Sequence, residues 1–315
     1  MARILLALAL ALPAVPAVAQ VEPVTAAFDS LQLADRRLAT VAERLLAGNV
    51  ALCRQTMWIT GLLLHSADQY DPAPALWFAN GPLAAAQVLP GSPAERAGVQ
   101  PNDGLAAIGG VAVAALPSEP DRPLRDAAFD LLAGQDPAAI TITLYRQGQR
   151  IDVRLTAARG CRALAEVLVG RADLARSDGR VIQIAHARVA RLSDEELAVS
   201  FAHELAHVVL EHRRRLEAAG NNRRLRRQAE IEADLLSLHL LANAGYDAAI
   251  GPVFWRSDAG RRSDAGLFRS GIYASPRRRA EMMEQEIRDH LTGDAVPSAA
   301  AHLLAQRDLP FPPDD

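Results

Sequence analysis

Lysine is absent from this chain: all 34 of its Lys-or-Arg positions are arginine. Such uniformity reads as codon bias rather than as a functional signature. The formal net charge is only −3, and that weak acidity argues against general nucleic-acid binding. Cysteine is nearly absent too. Cys53 and Cys161 are far apart and match no metal-binding spacing. In an exported protein they can pair, tying the N-terminal segment to the stretch after the middle of the chain. No cysteine lies near Ala19, which excludes a lipid-anchored start, and the apolar run Ile4–Leu12 is too short to span a bilayer. What is present is a half-hydrophobic composition, suited to a soluble globular protein of two modest domains.

Residues 1–19 have the layout of a secretory signal peptide. Arg3 supplies the positive start, Ile4–Leu12 the apolar run, and Ala17-Val18-Ala19 a small-x-small cleavage pattern before Gln20. The expected location is periplasmic or secreted, with no transmembrane anchor after cleavage.

The most informative stretch is His203-Glu204-Leu205-Ala206-His207, an HExxH pattern. Residues four apart lie on one face of a helix, so His203 and His207 can offer imidazoles to one ion. Glu204 is then placed to take a proton from water as general base. A catalytic zinc needs a third protein ligand and an open position. Glu230 is the candidate, with Asp234 one turn further on to accept an N–H from a ligand histidine. Glu232, two residues from Glu230, is read as facing elsewhere, and His212 as a helix-end histidine. The context is helical: Ser193 and Glu196 form a capping box, no Pro or Gly interrupts Asp194 to Leu216, and a second helix runs from about Leu225 to Ala244.

These residues resemble the gluzincin peptidases of the HtpX, BepA and CAAX-prenyl-endopeptidase type, over roughly Leu164 to Met283. The resemblance implies one Zn2+ held by His203, His207 and Glu230, with Glu204 as base. It departs at Ser275-Pro276, where many members carry His-Pro, and it lacks the membrane helices of the HtpX type. Tyr246, Tyr273 and Arg279 are the candidates for a donor to the transition-state oxyanion.

A second resemblance lies upstream. Gln87-Val88-Leu89-Pro90-Gly91-Ser92-Pro93-Ala94-Glu95-Arg96-Ala97-Gly98-Val99, then Asn102-Asp103-Gly104 and Ile108-Gly109-Gly110, is similar to a PDZ domain of the bacterial protease-associated kind. Arg125–Ala133 would be its second helix. Ile140–Tyr145 and Ile151–Thr156 alternate like strands about a Gln147-Gly148 turn. Such domains add an extended peptide as a strand and can grip its C-terminal carboxylate. Leu76, Trp77, Phe78 and Ala79 form the candidate carboxylate loop. The module either binds such a peptide or only packs on its neighbour.

The remaining segments complete the expectation. Thr25 to about His65 reads as helix, Arg162–Val169 as helix, and Arg180–Ala187 as the edge strand that holds substrate. The arginines from Arg213 to Arg227 read as a solvated hairpin, with peripheral membrane contact as the other option. Ser257–Ser270 reads as a mobile loop over the cleft. The expected fold class is α+β: a mainly helical zincin-like (gluzincin) domain plus a small β-rich PDZ domain. The boundaries expected are 20–72 for an N-terminal helical segment, 73–158 for the PDZ domain, 159–309 for the peptidase and 310–315 for a tail. The expected function is an exported zinc metalloendopeptidase acting on protein or peptide substrates, with a C-terminal peptide as PDZ ligand. The alternative is a PDZ-based, chaperone-like binder whose peptidase site is latent.

Overall fold

The structure is a computed structural model and describes residues 18–71, 73, 75–119, 122–136, 140–170, 173–267, 274–291, 298, 300–309 and 311. The expected signal peptide lies outside these residues except for Val18 and Ala19. So do Tyr273 and all of the expected tail except Phe311.

Helix α1 (Val18–Gly48) buries Leu38, Val41, Ala42, Leu45 and Leu46 along one stripe. The helix does not continue to His65 as the apolar spacing suggested. The chain turns into strands β1 (Thr56–Ile59) and β2 (Leu62–Ser66). Short apolar runs such as Met57–Ile59 and Leu62–Leu64 have no periodicity to separate strand from helix, so strand partners decide. For β1 the partner is β8 (Ala158–Cys161), antiparallel, with Thr56 opposite Cys161. Beside this pair Cys53 and Cys161 form a disulfide, their Cα atoms 5.4 Å apart.

Between the two stem strands lies one antiparallel sheet in the order β2-β3-β4-β6-β7, with β5 on β4. Its other members are β3 (Leu83–Val88), β4 (Gly104–Ile108), β5 (Val111–Ala112), β6 (Ile140–Arg146) and β7 (Gln149–Leu155). Helices α2 (Pro93–Arg96) and α3 (Leu124–Ala133) complete the unit around Leu83, Ile108, Ile140, Ile142, Leu144 and Leu155. Gln147 and Gly148 both have positive φ (52° and 77°), as a two-residue hairpin between right-twisted strands requires. Asn102 is also left-handed (φ 68°), and Arg146 clasps Asp103 through two bonds of 2.6 Å, so the unusual Asn-Asp-Gly is a fixed turn. The sheet starts at Leu62, ahead of the boundary expected at residue 73.

The rest of the chain is mainly helical. A small sheet of order β10-β11-β9 comprises β9 (Leu164–Leu168), β10 (Ala175–Ser177) and β11 (Val181–Ala185). Two expectations fail here. Arg162–Val169 is a strand because β11 pairs with it in parallel. Residues 181–185 form the central strand rather than an edge, which leaves β10 as the edge. There follow α4 (His186–Arg191), α5 (Asp194–Val209), α6 (His212–Ala218), α7 (Arg223–Asn243), α8 (Ile250–Arg256), α9 (Asp258–Leu267), α10 (Pro276–His290) and α11 (Ala301–Arg307). Residues 258–267 are thus helical, not the irregular loop expected. The expected run from Asp194 to Leu216 is broken at Glu211, which is left-handed (φ 52°). Helices α1, α5 and α7 share one core containing Leu38, Leu45, Phe201, Leu205, Leu236 and Leu240. Among the described residues no helix is long and apolar enough to cross a membrane.

Candidate metal centre and cleft

Helix α5 starts where the sequence says it should. Ser193 Oγ accepts the Glu196 N–H, and the Glu196 carboxylate accepts the Ser193 N–H. From that start, two turns of α5 present His203 and His207, and the adjacent α7 presents Glu230 and Asp234. His203 Nε2 stands 3.1 Å from Glu230 Oε2 and 3.3 Å from His207 Nε2, which is 3.6 Å from Glu230 Oε1. Ligand atoms around a tetrahedral zinc with bonds of about 2.0–2.1 Å stand about 3.3–3.4 Å apart, so the spacing of the two imidazoles and the Glu230 carboxylate fits three such ligands.

The outward nitrogens set the tautomers. His203 Nδ1 is 3.0 Å from Asp234 Oδ1, so in the neutral form of the ring, the one able to bind a metal, the proton sits on Nδ1 and Nε2 faces Glu230 with its lone pair. Asp234 is in turn clasped by buried Arg279 through Nε and Nη2, and the Arg279 guanidinium lies 3.4 Å from the Trp255 ring centroid. His207 Nδ1 meets His212 Nδ1 at 2.8 Å, and His212 Nε2 meets Glu232 Oε2 at 3.0 Å. With His207 donating to His212 and His212 donating to Glu232, His207 Nε2 is bare as well. Arg215 donates to the same Glu232 oxygen at 2.7 Å.

His212 was therefore misread from the sequence, whereas Glu232 faces elsewhere as expected. On a continuous helix His212 would be rotated away, but the left-handed Glu211 swings it back onto His207. Glu232 does face away from the ligand triangle, yet it ends the chain of contacts that orients His207. Arg215, expected in a solvated hairpin, is buried, whereas Arg213 and Arg214 pair with Glu217 and Glu211 on the surface.

Electrostatics favours a cation at the centre. Burial alone would lower the His203 pKa, yet Asp234 and Glu230 raise it to about 10. Burial opposes ionisation of Glu230, but His207 and His203 hold its carboxyl well below the usual range. Burial pushes His212 down to about 4, so it is a neutral relay. Glu204 is 7% exposed, and burial raises its pKa, as suits a base that must take and return a proton.

These groups line a cleft of about 700 Å³, walled by β10 and by Arg188, Trp255 and Arg279. Of the expected oxyanion donors, Arg279 lines the cleft but is committed to Asp234. Tyr246 does not line it; Arg44 covers its ring at 3.9 Å. Tyr273 lies outside the described residues. The candidate carboxylate loop is also displaced. Leu76–Ala79 precedes β3, an interior strand, and the Trp77 and Phe78 rings pack on His65. The strand that borders α3 at the sheet edge is β2, so the loop in the corresponding place is Ile59–Gly61.

A second group, His239, Glu286 and His302, brings three ligand-bearing side chains together. Both ring Nε2 atoms sit 2.8 and 2.7 Å from one oxygen, Glu286 Oε1, which is hydrogen-bond spacing rather than the edge of a coordination shell. It staples α7, α10 and α11.

No curated protein matches the chain closely enough to count as a relative. Residues 85–146 match the PDZ domain family, the region that holds most of the antiparallel sheet and α3. That part of the chain is a PDZ domain, which suits peptide binding or regulation.

Proposed function

We propose that this protein is a zinc-dependent endopeptidase, exported from the cytoplasm, whose PDZ domain recognises or regulates access of protein substrates. The observation that carries it is the triangle of His203, His207 and Glu230, with both outward histidine nitrogens engaged. Export is supported by the signal-like start and by the Cys53–Cys161 bridge.

His203, His207 and Glu230 would hold the zinc, which would supply acidification of a water and polarisation of a scissile carbonyl. Glu204 takes a proton from water and delivers it to the leaving amine. Asp234 and His212 hold the two imidazoles with Nε2 inward. The open edge of β10 borders the cleft, so an extended substrate can add to it as a further strand.

The test is purified protein with denatured casein, its zinc counted by plasma mass spectrometry. Wild type should carry one zinc per chain and digest. Glu204→Gln should keep the metal and lose about 100-fold or more of the rate. A Glu204→Gln protein that digests as fast as wild type sinks the reading. A zinc-loaded but inert wild type would leave peptide binding by the PDZ domain as the activity.

A further inference from the structure

Two of the acids on helix α1, Asp35 and Glu43, stand about two turns apart, and both are partly buried. Glu43 Oε1 accepts the N–H of Gly61 at 2.9 Å. The Val167 backbone, on β9, lowers the pKa of Asp35 against the effect of its burial. Both acids line a cavity of about 330 Å³ bounded by α1, β2, α3 and β9, with Leu62, Leu64, Phe129 and Leu132 among its apolar walls.

Gly61 ends the loop that enters β2. The rest of this turn is engaged: Thr60 O accepts the Ala94 N–H and Gly61 O accepts the Leu89 N–H. Gly61 has φ +70°, and an added Cβ would fall 2.0 Å from Ser92 Cβ, so glycine alone fits. Its N–H meets the carboxylate of Glu43, which itself lines the cavity. At the far end of β2 lies His65, only 4% exposed and lining the same cavity. Among the described residues its Nε2 has no hydrogen-bond partner. A buried polar atom of this kind calls for a ligand group.

A PDZ groove accepts a peptide between an edge strand and a helix, with the terminal carboxylate on backbone N–H groups before that strand. Here the edge strand is β2, the helix is α3, and a carboxylate is already on the Gly61 amide. The cavity between β2 and α3 is thus the place where this PDZ domain would take a free peptide C-terminus with an apolar last residue, and we propose that Glu43 is an intramolecular occupant of its carboxylate position. A peptide must displace Glu43 to bind. The same helix reaches the start of the HExxH helix, since Arg37 bonds the Asp194 side chain and the carbonyls of Val189 and Leu192. Displacing Glu43 therefore pulls on the segment that sets α5.

The test is a binding measurement, independent of whether the protein cleaves peptides, made in a Glu204→Gln background so that the probe survives. The probe is a fluorescent octapeptide pool, random at seven positions and ending in Val, Leu or Phe with a free carboxylate. Glu43→Ala should bind it at least tenfold more tightly than the parent, and Glu43→Gln should fall between. The amide-capped pool should gain nothing. Equal binding by parent and both variants overturns the proposal, as does an equal gain for the capped pool or no binding by any form. To exclude misfolding, hydrogen exchange must show α5 as protected in Glu43→Ala as in the parent. On adding the free-carboxylate pool, residues 59–66 should gain protection, and absence of that gain counts against the site.

Discussion

At the residue scale the candidate centre depends on groups that touch no ion. His212 is neutral and buried, and it accepts the proton of His207 while giving its own to Glu232. His212→Ala leaves His207 free to rotate or to switch tautomer. Zinc affinity should fall about 10–100-fold, read by competition with a chelator, with the fold unchanged. An unaltered affinity would mean that helix packing alone holds the ring. Glu230 and Asp234 were legible because a spacing of four is visible in a string of letters. His212 and Glu232 were not, because their meeting depends on one backbone angle, the φ of +52° at Glu211. That residue's carboxylate is held by Arg54 and Arg214, from distant and near parts of the chain.

At the scale of elements α1 is the most consequential. Its apolar stripe packs on α5 and α7, while Asp35 and Glu43 face the cavity beside the PDZ sheet. Burial is the main cause that pushes both carboxyls up to about 7, from 3.8 and 4.5. The Gly61 N–H lowers Glu43 only in part. Beside Asp35 the Val167 backbone and Arg125 pull down while Glu166 pushes up. The folded state thus holds more protons than the unfolded chain between about pH 4 and 7, so these two groups make stability fall as pH rises through that window. A double variant, Asp35→Asn with Glu43→Gln, lacks this loss. Its stability relative to wild type should rise by ~2 kcal/mol between pH 5 and pH 8 in urea melts, allowing for the partial exposure of both groups. The same difference at both pH values would contradict it. The strand assignments show where local pattern runs out. The capped helix α5 and the β6–β7 hairpin carry their own boundary signals, whereas β1, β2 and β9 are short apolar runs that take their form from β8, β3 and β11.

At the scale of the whole molecule the PDZ unit is an insertion. It leaves the helical body at β1, returns at β8, and is closed at that stem by a disulfide across a sequence separation of 108. Chain-entropy arguments give such a closure at most about 5 kcal/mol, less here because β1 and β8 also pair. Cys53→Ser with Cys161→Ser should lower the melting temperature by several degrees and loosen the stem. Zinc content should persist, since all three proposed ligands lie on α5 and α7. Loss of the metal on reduction would show instead that the stem supports the site.

By itself the sequence determined the HExxH spacing, the candidate ligands and candidate base it carries, the helix that bears them and the PDZ domain, because each is a local spacing or a run of turn-forming residues. Only the tertiary structure decided which strand is an edge, which carboxylate meets which backbone amide, and which histidine steadies which. Those outcomes depend on long-range partners and on single left-handed residues, and neither leaves a periodic mark along the chain.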